Sequence, residues 1–203
     1  HPVAHSFPTR RSSDLATLRE LSMSETTVVT SRGSRGLIPR GYGTIVELGH
    51  ECSVTLYDMD ITAFPPAHWG ARHVFDQHRK CNSYLLESNG KRVLFAGDTA
   101  FTDVFSELGP VDLAVFGIGS YDPWEHMHAT PEQVWTMFQS IGGRRLLPVH
   151  HSTFHLSDEP IDEPMRRLLS AADEETDKVI QVVPGEIWQE EPVSMLHHLK
   201  SAS

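Results

Sequence analysis

The stretch Arg92-Val93-Leu94-Phe95-Ala96-Gly97-Asp98-Thr99 decides how the rest of the chain reads. Val93, Leu94 and Phe95 form an apolar run too short for a helix, which reads as a buried strand. Gly97 closes the run, and its freedom to take positive φ or admit a close backbone approach aims Asp98 into a cleft. A carboxylate just past the carboxyl end of a buried strand is where layered folds put their chemistry. Taken alone, Asp98 serves equally well as the start of a turn or as a helix cap. Two histidines in similar settings, His68 upstream and His150 downstream, shift that balance.

Working outward, Asn82–Ser88 and Arg92–Ala96 pair as a hairpin around Asn89-Gly90. Ser53–Phe64 reads as a strand bent at Asp58-Met59-Asp60, and it leads into Pro65-Pro66-Ala67-His68-Trp69. The two prolines hold His68 in a stiff loop at the strand end. Downstream, the pattern predicts a helix over Thr102–Leu108, stopped by Gly109-Pro110, and a buried strand over Val111–Ile118. Gly119–Ala129 is a loop that holds Tyr121, Asp122, Trp124, His126 and His128. Thr130-Pro131-Glu132-Gln133 opens the clearest helix, with a cap, a first-position proline and a capping-box partner. Leu146–Val149 is a strand that runs into His150-His151-Ser152-Thr153-Phe154. A helix follows over Glu163–Ala172, then a strand over Lys178–Val183 and a short strand over Gly185–Gln189. Nearer the start, Leu15, Leu18 and Leu21 have helical spacing behind a capping Asp14. Thr26–Thr30 is a short strand, and the passage Gly33–Gly43 is loop-rich, with a strand end at Leu37-Ile38-Pro39. Ala71–Lys80 is a polar surface loop, in which Arg72 or Arg79 is available to an anionic substrate.

The 203 residues suit one domain, and the net charge of −10 argues against a general nucleic-acid surface. Thirteen histidines are many for this length. Cys52 and Cys81 form neither a C-x-x-C pair nor a disulfide framework, which suggests free thiols in a reducing compartment such as the cytoplasm. No run is long and apolar enough for a transmembrane segment. Residues 1–14 read as a non-native leader, 15–190 as the folded domain and 191–203 as a tail.

His68, Asp98 and His150 each follow a strand, and two imidazoles with a carboxylate are ligands that zinc accepts. Around them stand Pro66-Ala67-His68-Trp69, Phe95-Ala96-Gly97-Asp98-Thr99, Gly119-Ser120-Tyr121-Asp122-Pro123, His128-Ala129-Thr130-Pro131-Glu132 and Val149-His150-His151-Ser152-Thr153-Phe154. In order and spacing these five motifs resemble the metallo-β-lactamase superfamily. The branch in view holds the N-acyl-phosphatidylethanolamine-hydrolysing phospholipase D and L-ascorbate-6-phosphate lactonase-like proteins. The resemblance implies an α+β fold, the αββα sandwich, with two zinc ions at the strand ends. It further implies metal ligation by His68, Asp98 and His150, with Asp98 bridging both ions and His128 acting near the substrate or leaving group. Asp98 and His128 are thus the expected catalytic residues, and Thr99 is expected to hydrogen-bond the Asp98 carboxylate.

The H-x-H-x-D-H signature of that family occurs nowhere in the chain. In the family it lies just ahead of a short helix resembling Asp14-Leu15-Ala16-Thr17-Leu18, so the sequence reads as an amino-terminally truncated, incomplete version of the fold. The expected function is a dinuclear zinc hydrolase of a phosphodiester or lactone-type bond, in a small or lipid-like substrate. The alternative is an inactive fragment or binding domain. Iron or manganese also suits such ligands, and the resemblance leaves room for a homo-oligomer.

Overall fold

The computed structural model describes residues 15–69, 80–155, 157–183 and 185–190. Its strands are β1 (Thr27–Ser31), β2 (Thr44–Leu48), β3 (Ser53–Leu56), β4 (Met59–Phe64), β5 (Ser83–Ser88), β6 (Lys91–Gly97), β7 (Leu113–Gly117) and β8 (Arg145–Val149). β1 and β2 form a parallel pair, and β3 to β8 form one sheet in chain order. From β3 to β6 the neighbours are antiparallel, whereas β6, β7 and β8 run parallel. The turn between β5 and β6 has Asn89 and Gly90 both at positive φ, 51° and 72°, the geometry a two-residue hairpin demands. The parallel neighbours need crossovers instead, and the one between β7 and β8 contains helix α1 (Pro131–Ser140). This arrangement sends β4, β6, β7 and β8 in one direction, so their carboxyl ends lie along one edge. Asp98 and His150 directly follow two of those ends, and His68 lies just beyond a third.

Register sets the core. Leu85 pairs with Leu94, Leu94 with Ala114, and Ala114 with Leu146, which puts these four on one face. That face packs with Phe116, with Val134 and Phe138 of α1, and with Leu168 and Ala172 of α2 (Glu163–Ala172). Phe105 joins edge-to-face with Phe116, ring centres 5.7 Å apart. Tyr84, Phe95, Val115 and Leu147 share the opposite face, where Phe95 stays exposed. The expected α+β sandwich architecture is borne out. At the start of α1, Thr130 Oγ1 accepts from Gln133 N (3.3 Å) and Gln133 Oε1 accepts from Thr130 N (3.0 Å), the capping box in full.

Several local expectations are corrected. Ser53–Phe64 is a hairpin of two strands rather than one bent strand, with Tyr57 at φ 58° in the turn. The loop-rich passage contains a 3-10 turn at Arg35–Leu37 where a strand end was expected, and it gives way to β2, which was not foreseen. Of the helix over Thr102–Leu108 only a 3-10 turn at Ser106–Leu108 forms, because Phe105 is drawn fully into the core. The strand over Lys178–Val183 reduces to a bridge of Val179 with Leu146, preceded by a 3-10 helix over Asp173–Lys178. Ile180 N donates to Leu146 O, but two residues on in β8 stands Pro148, which has no N–H with which to extend a ladder on that side. No strand forms over 185–189, and residues 15–20 are helical as expected. The readings of the leader, the tail, Asp14, Arg72 and Arg79 lie outside the described residues. Among the described residues no helix is long and apolar enough to cross a membrane.

Asp112, just before β7, fastens that strand to β6. Its carboxylate accepts from Arg92 N (2.9 Å) and Lys91 Nζ (3.1 Å), and these partners, the backbone amide first, hold its carboxyl below the usual carboxylate range. A carboxyl with a depressed folded-state pKa stabilises the fold above its unfolded value near 3.9, and this contribution is lost as pH falls through the lower folded value. Denaturant melts between pH 5 and pH 2 are therefore expected to show a shallower acid loss in Asp112→Asn than in the parent.

Candidate metal centre

Gly97 sits at φ 67°, and the β6–β7 register shifts between Phe95 and Gly97. A bulge of this kind re-aims the following side chain, and here that side chain is Asp98. The next residue, Thr99, is buried and joins three loops. Its hydroxyl accepts from Ala67 N and donates to Ala100 O, both at 2.9 Å. Its carbonyl accepts from Ala129 N at 2.8 Å, and Ala100 N donates to Ala67 O at 3.0 Å. Each fastened loop carries a site residue beside the fastening point: His68 beside Ala67, Asp98 beside Thr99, His128 beside Ala129. The Thr99 hydroxyl thus bonds to backbone rather than to the Asp98 carboxylate as expected, because its position in a buried corner makes the loop amide its nearest demand.

One nitrogen from each of His68 and His128 and one oxygen of Asp98 lie within 4.8 Å of one another. The rings of His68 and His128 are 5.2 Å apart and nearly perpendicular, and those of His128 and His150 are 5.5 Å apart. His68 Nδ1 lies 2.8 Å from Trp69 O. A carbonyl only accepts, so Nδ1 carries the proton and Nε2 keeps the lone pair a metal needs. His150 lies outside the tight trio, across Gly117. A Cβ on Gly117 would stand 3.5 Å from His150 Cβ and 3.8 Å from Asp98 Oδ1, so the glycine leaves the space between these two open. His150 and Ser152 both have positive φ, 59° and 57°, which breaks strand alternation after Val149. His150 and His151 both border one small cavity. Burial lowers the pKa of His151, and its Nδ1 lies 2.7 Å from Ser152 Oγ.

Sequence reasoning missed Cys81, whose thiol donates to His68 O at 3.3 Å. Burial raises its pKa, and the Asp98 charge adds to the effect. No spacing rule joins Cys81 to His68, because the two stand 13 positions apart in sequence and meet only in the folded chain. Trp69 is exposed beside the site. Tyr121 instead belongs to the interior, with its hydroxyl on Glu163 Oε1 at 3.0 Å.

The sequence model of the beta-lactamase superfamily domain matches residues 12–151. An uncharacterized protein of Mycobacterium tuberculosis is 30% identical over 169 residues, covering 74% of this chain and 45% of that protein. N-acyl-phosphatidylethanolamine-hydrolyzing phospholipase D 1 of Caenorhabditis elegans is 29% identical over 175 residues, covering 77% of this chain and 49% of the relative. The chain thus spans about half the length of these curated relatives. Among solved structures, Igni18, a metallo hydrolase from Ignicoccus hospitalis, superposes with a TM-score of 0.64 at 19% identity, covering 91% of this chain and 76% of that one. The match over most of its length establishes that this chain belongs to the beta-lactamase superfamily.

Thr99→Val keeps the shape but leaves the Ala67 amide without its acceptor. A loss of about 1–3 kcal/mol in denaturant unfolding is expected, with Thr99→Ser close to the parent.

Proposed function

We propose that this chain forms the metal-binding part of a metal-dependent hydrolase that cleaves phosphodiester or lactone-type bonds at a dinuclear zinc site. In this reading His68, Asp98 and His150 are metal ligands, Asp98 is shared between the ions, and His128 transfers a proton. The observation that carries it is the convergence of His68, Asp98 and His128 within 4.8 Å at the edge where the parallel strands end. Imidazole nitrogen and carboxylate oxygen fit zinc, iron and manganese alike. Ions of a dinuclear site stand about 3.5–4 Å apart, so ligands of different ions are spaced more widely than ligands of one. The position of His150 beyond the trio, with Asp98 and the open space at Gly117 between, suits the second ion.

A divalent ion bound there would lower the pKa of coordinated water and polarise a carbonyl or phosphoryl oxygen. The chain's own residues would supply the rest. The Asp98 carboxylate, re-aimed by the bulge at Gly97, would offset positive charge in the centre. His128, whose ring lies near those of His68 and His150, would give a proton to the departing oxygen. Exposed Trp69 and Phe154 offer apolar surface next to His68 and near His150, which suits a lipid-like substrate. The phospholipase D relative supports the phosphodiester over the lactone. Two free cysteines favour a reducing compartment such as the cytoplasm.

The missing H-x-H-x-D-H signature favours a second reading for this chain by itself, in which it holds metal loosely and serves as a non-catalytic binding domain. A catalytic zinc ordinarily has three protein ligands and an open position, and here one carboxylate would serve two ions. At saturating zinc, hydrolysis of bis(p-nitrophenyl) phosphate is expected to be slow yet above buffer, and a chelator should abolish it. The non-catalytic reading requires no rate above buffer. Asp98→Asn should remove zinc retention on metal analysis, while His128→Gln should retain zinc and lose about 10²–10⁴-fold in rate; zinc lost with His128→Gln would instead make His128 a ligand alongside His68 and Asp98 and refute its proton-transfer role. Zinc uptake indifferent to Asp98→Asn would refute the site.

A further inference from the structure

Glu159 is nine-tenths buried and takes no part in the centre described above. Its carboxylate bridges two backbone amides of the loop that leaves β7. Ser120 N donates to Oε1 at 2.5 Å and Asp122 N donates to Oε2 at 3.1 Å. The two segments are tied again by Asp158 N, which donates to Asp122 O at 2.9 Å. Between the clamped amides, Tyr121 gives its hydroxyl to Glu163, and Arg167 lies over the Tyr121 ring at 4.8 Å. Ser120 holds φ 66°, a left-handed conformation that a residue with a side chain adopts only when its surroundings impose it. The carboxylate supplies such a constraint, because with Ser120 in this conformation the Ser120 and Asp122 amides converge on its two oxygens.

What the clamped loop touches gives the clamp its consequence. The strands β7 and β8 stay paired to their ends, where Ile118 N donates to Val149 O at 3.0 Å. Past that point each chain passes through a left-handed residue, Ser120 on one side and His150 on the other. Gly119 lies so close to the His150 carbonyl that a Cβ there would collide with the carbonyl oxygen. Ser120, Glu159 and His150 border one cavity. The β7 exit loop is thus the wall against which the His150 backbone is set, and Glu159 fixes that wall.

We infer that Glu159 is a positioning residue for His150: by clamping Ser120 and Asp122 it fixes the surface that orients the His150 imidazole toward Asp98. The inference rests on the proposed ligand role of His150 only for its effect on metal. Its effect on His150 itself can be read without any ion.

Glu159→Gln leaves one amide facing an NH₂ group instead of an oxygen. In the metal-free full chain, the His150 ring resonances are expected to shift or broaden in this variant while those of exposed His126 stay put. Affinity for Co²⁺, followed by its visible absorption, should fall about tenfold or more. Adding Ser120→Gly, which lets residue 120 hold positive φ without a clamp, should recover a large part of that loss. A Glu159→Gln chain that melts cooperatively, with parental His150 resonances and Co²⁺ affinity within twofold, overturns the inference. If Glu159→Gln does not fold, Glu159→Asp is read by the same two criteria. His150→Gln separates the two ideas. Unchanged Co²⁺ affinity in that variant would refute the ligand role of His150, while the metal-free resonances still decide whether Glu159 orients it.

Discussion

The hydroxyl of Thr99 is the constraint on which the centre depends. Three loops leave separate places in the fold, and nothing in their own sequence holds them at a common distance. The buried Thr99 ties them through one side chain and one carbonyl, to Ala67, Ala100 and Ala129. His68 and His128 are each one residue from a fastened position, which limits how far their backbones can move apart. A buried hydrogen bond of this kind adds modestly to stability when made and costs more when one partner is removed. Its larger effect is geometric, since it prevents the loops from relaxing apart.

That fastening works only because the sheet first brings the loops to one edge. The Asn89-Gly90 turn reverses the chain, and the crossovers after β6 do not, so β6, β7 and β8 all end where Asp98, Gly119 and His150 begin. Direction in the sheet is paid for by the face beneath the helices, where Leu94, Ala114, Phe116 and Leu146 are fully buried. Full burial of such side chains contributes about 1.5–3 kcal/mol each for the larger ones. The edge itself carries the costs: left-handed Ser120, His150 and Ser152 cluster there, as strained residues do near chemistry.

Much of this was legible in residue order. The hairpin, the capping box of α1 and the apolar faces of β6 and β7 each follow from local chemistry acting over a few residues. So does Asp98 after Gly97, where a glycine at a strand end announces a backbone that no other residue adopts as readily. The misread segments share a different cause. Phe105 leaves its predicted helix because the core under β7 can take its ring. The strand after Lys178 stops because Pro148, on another strand, withholds a donor. In both cases the deciding partner lies far off in sequence, where no periodicity reaches.

The sequence by itself determined the fold class and the run of β6, and it singled out His68, Asp98 and His150 as candidate ligands and His128 as a candidate beside the substrate, because residue type dictates donor chemistry and short-range pattern dictates element type. Only the tertiary structure decided which of them stand close: His68, Asp98 and His128 as a trio, with His150 set apart across Gly117. It also decided that Thr99 fastens backbone and that Glu159 is buried against Ser120 and Asp122. The reason is that distance between residues far apart in the chain is set by strand direction, register and buried hydrogen bonds, and these form only when the whole sheet does.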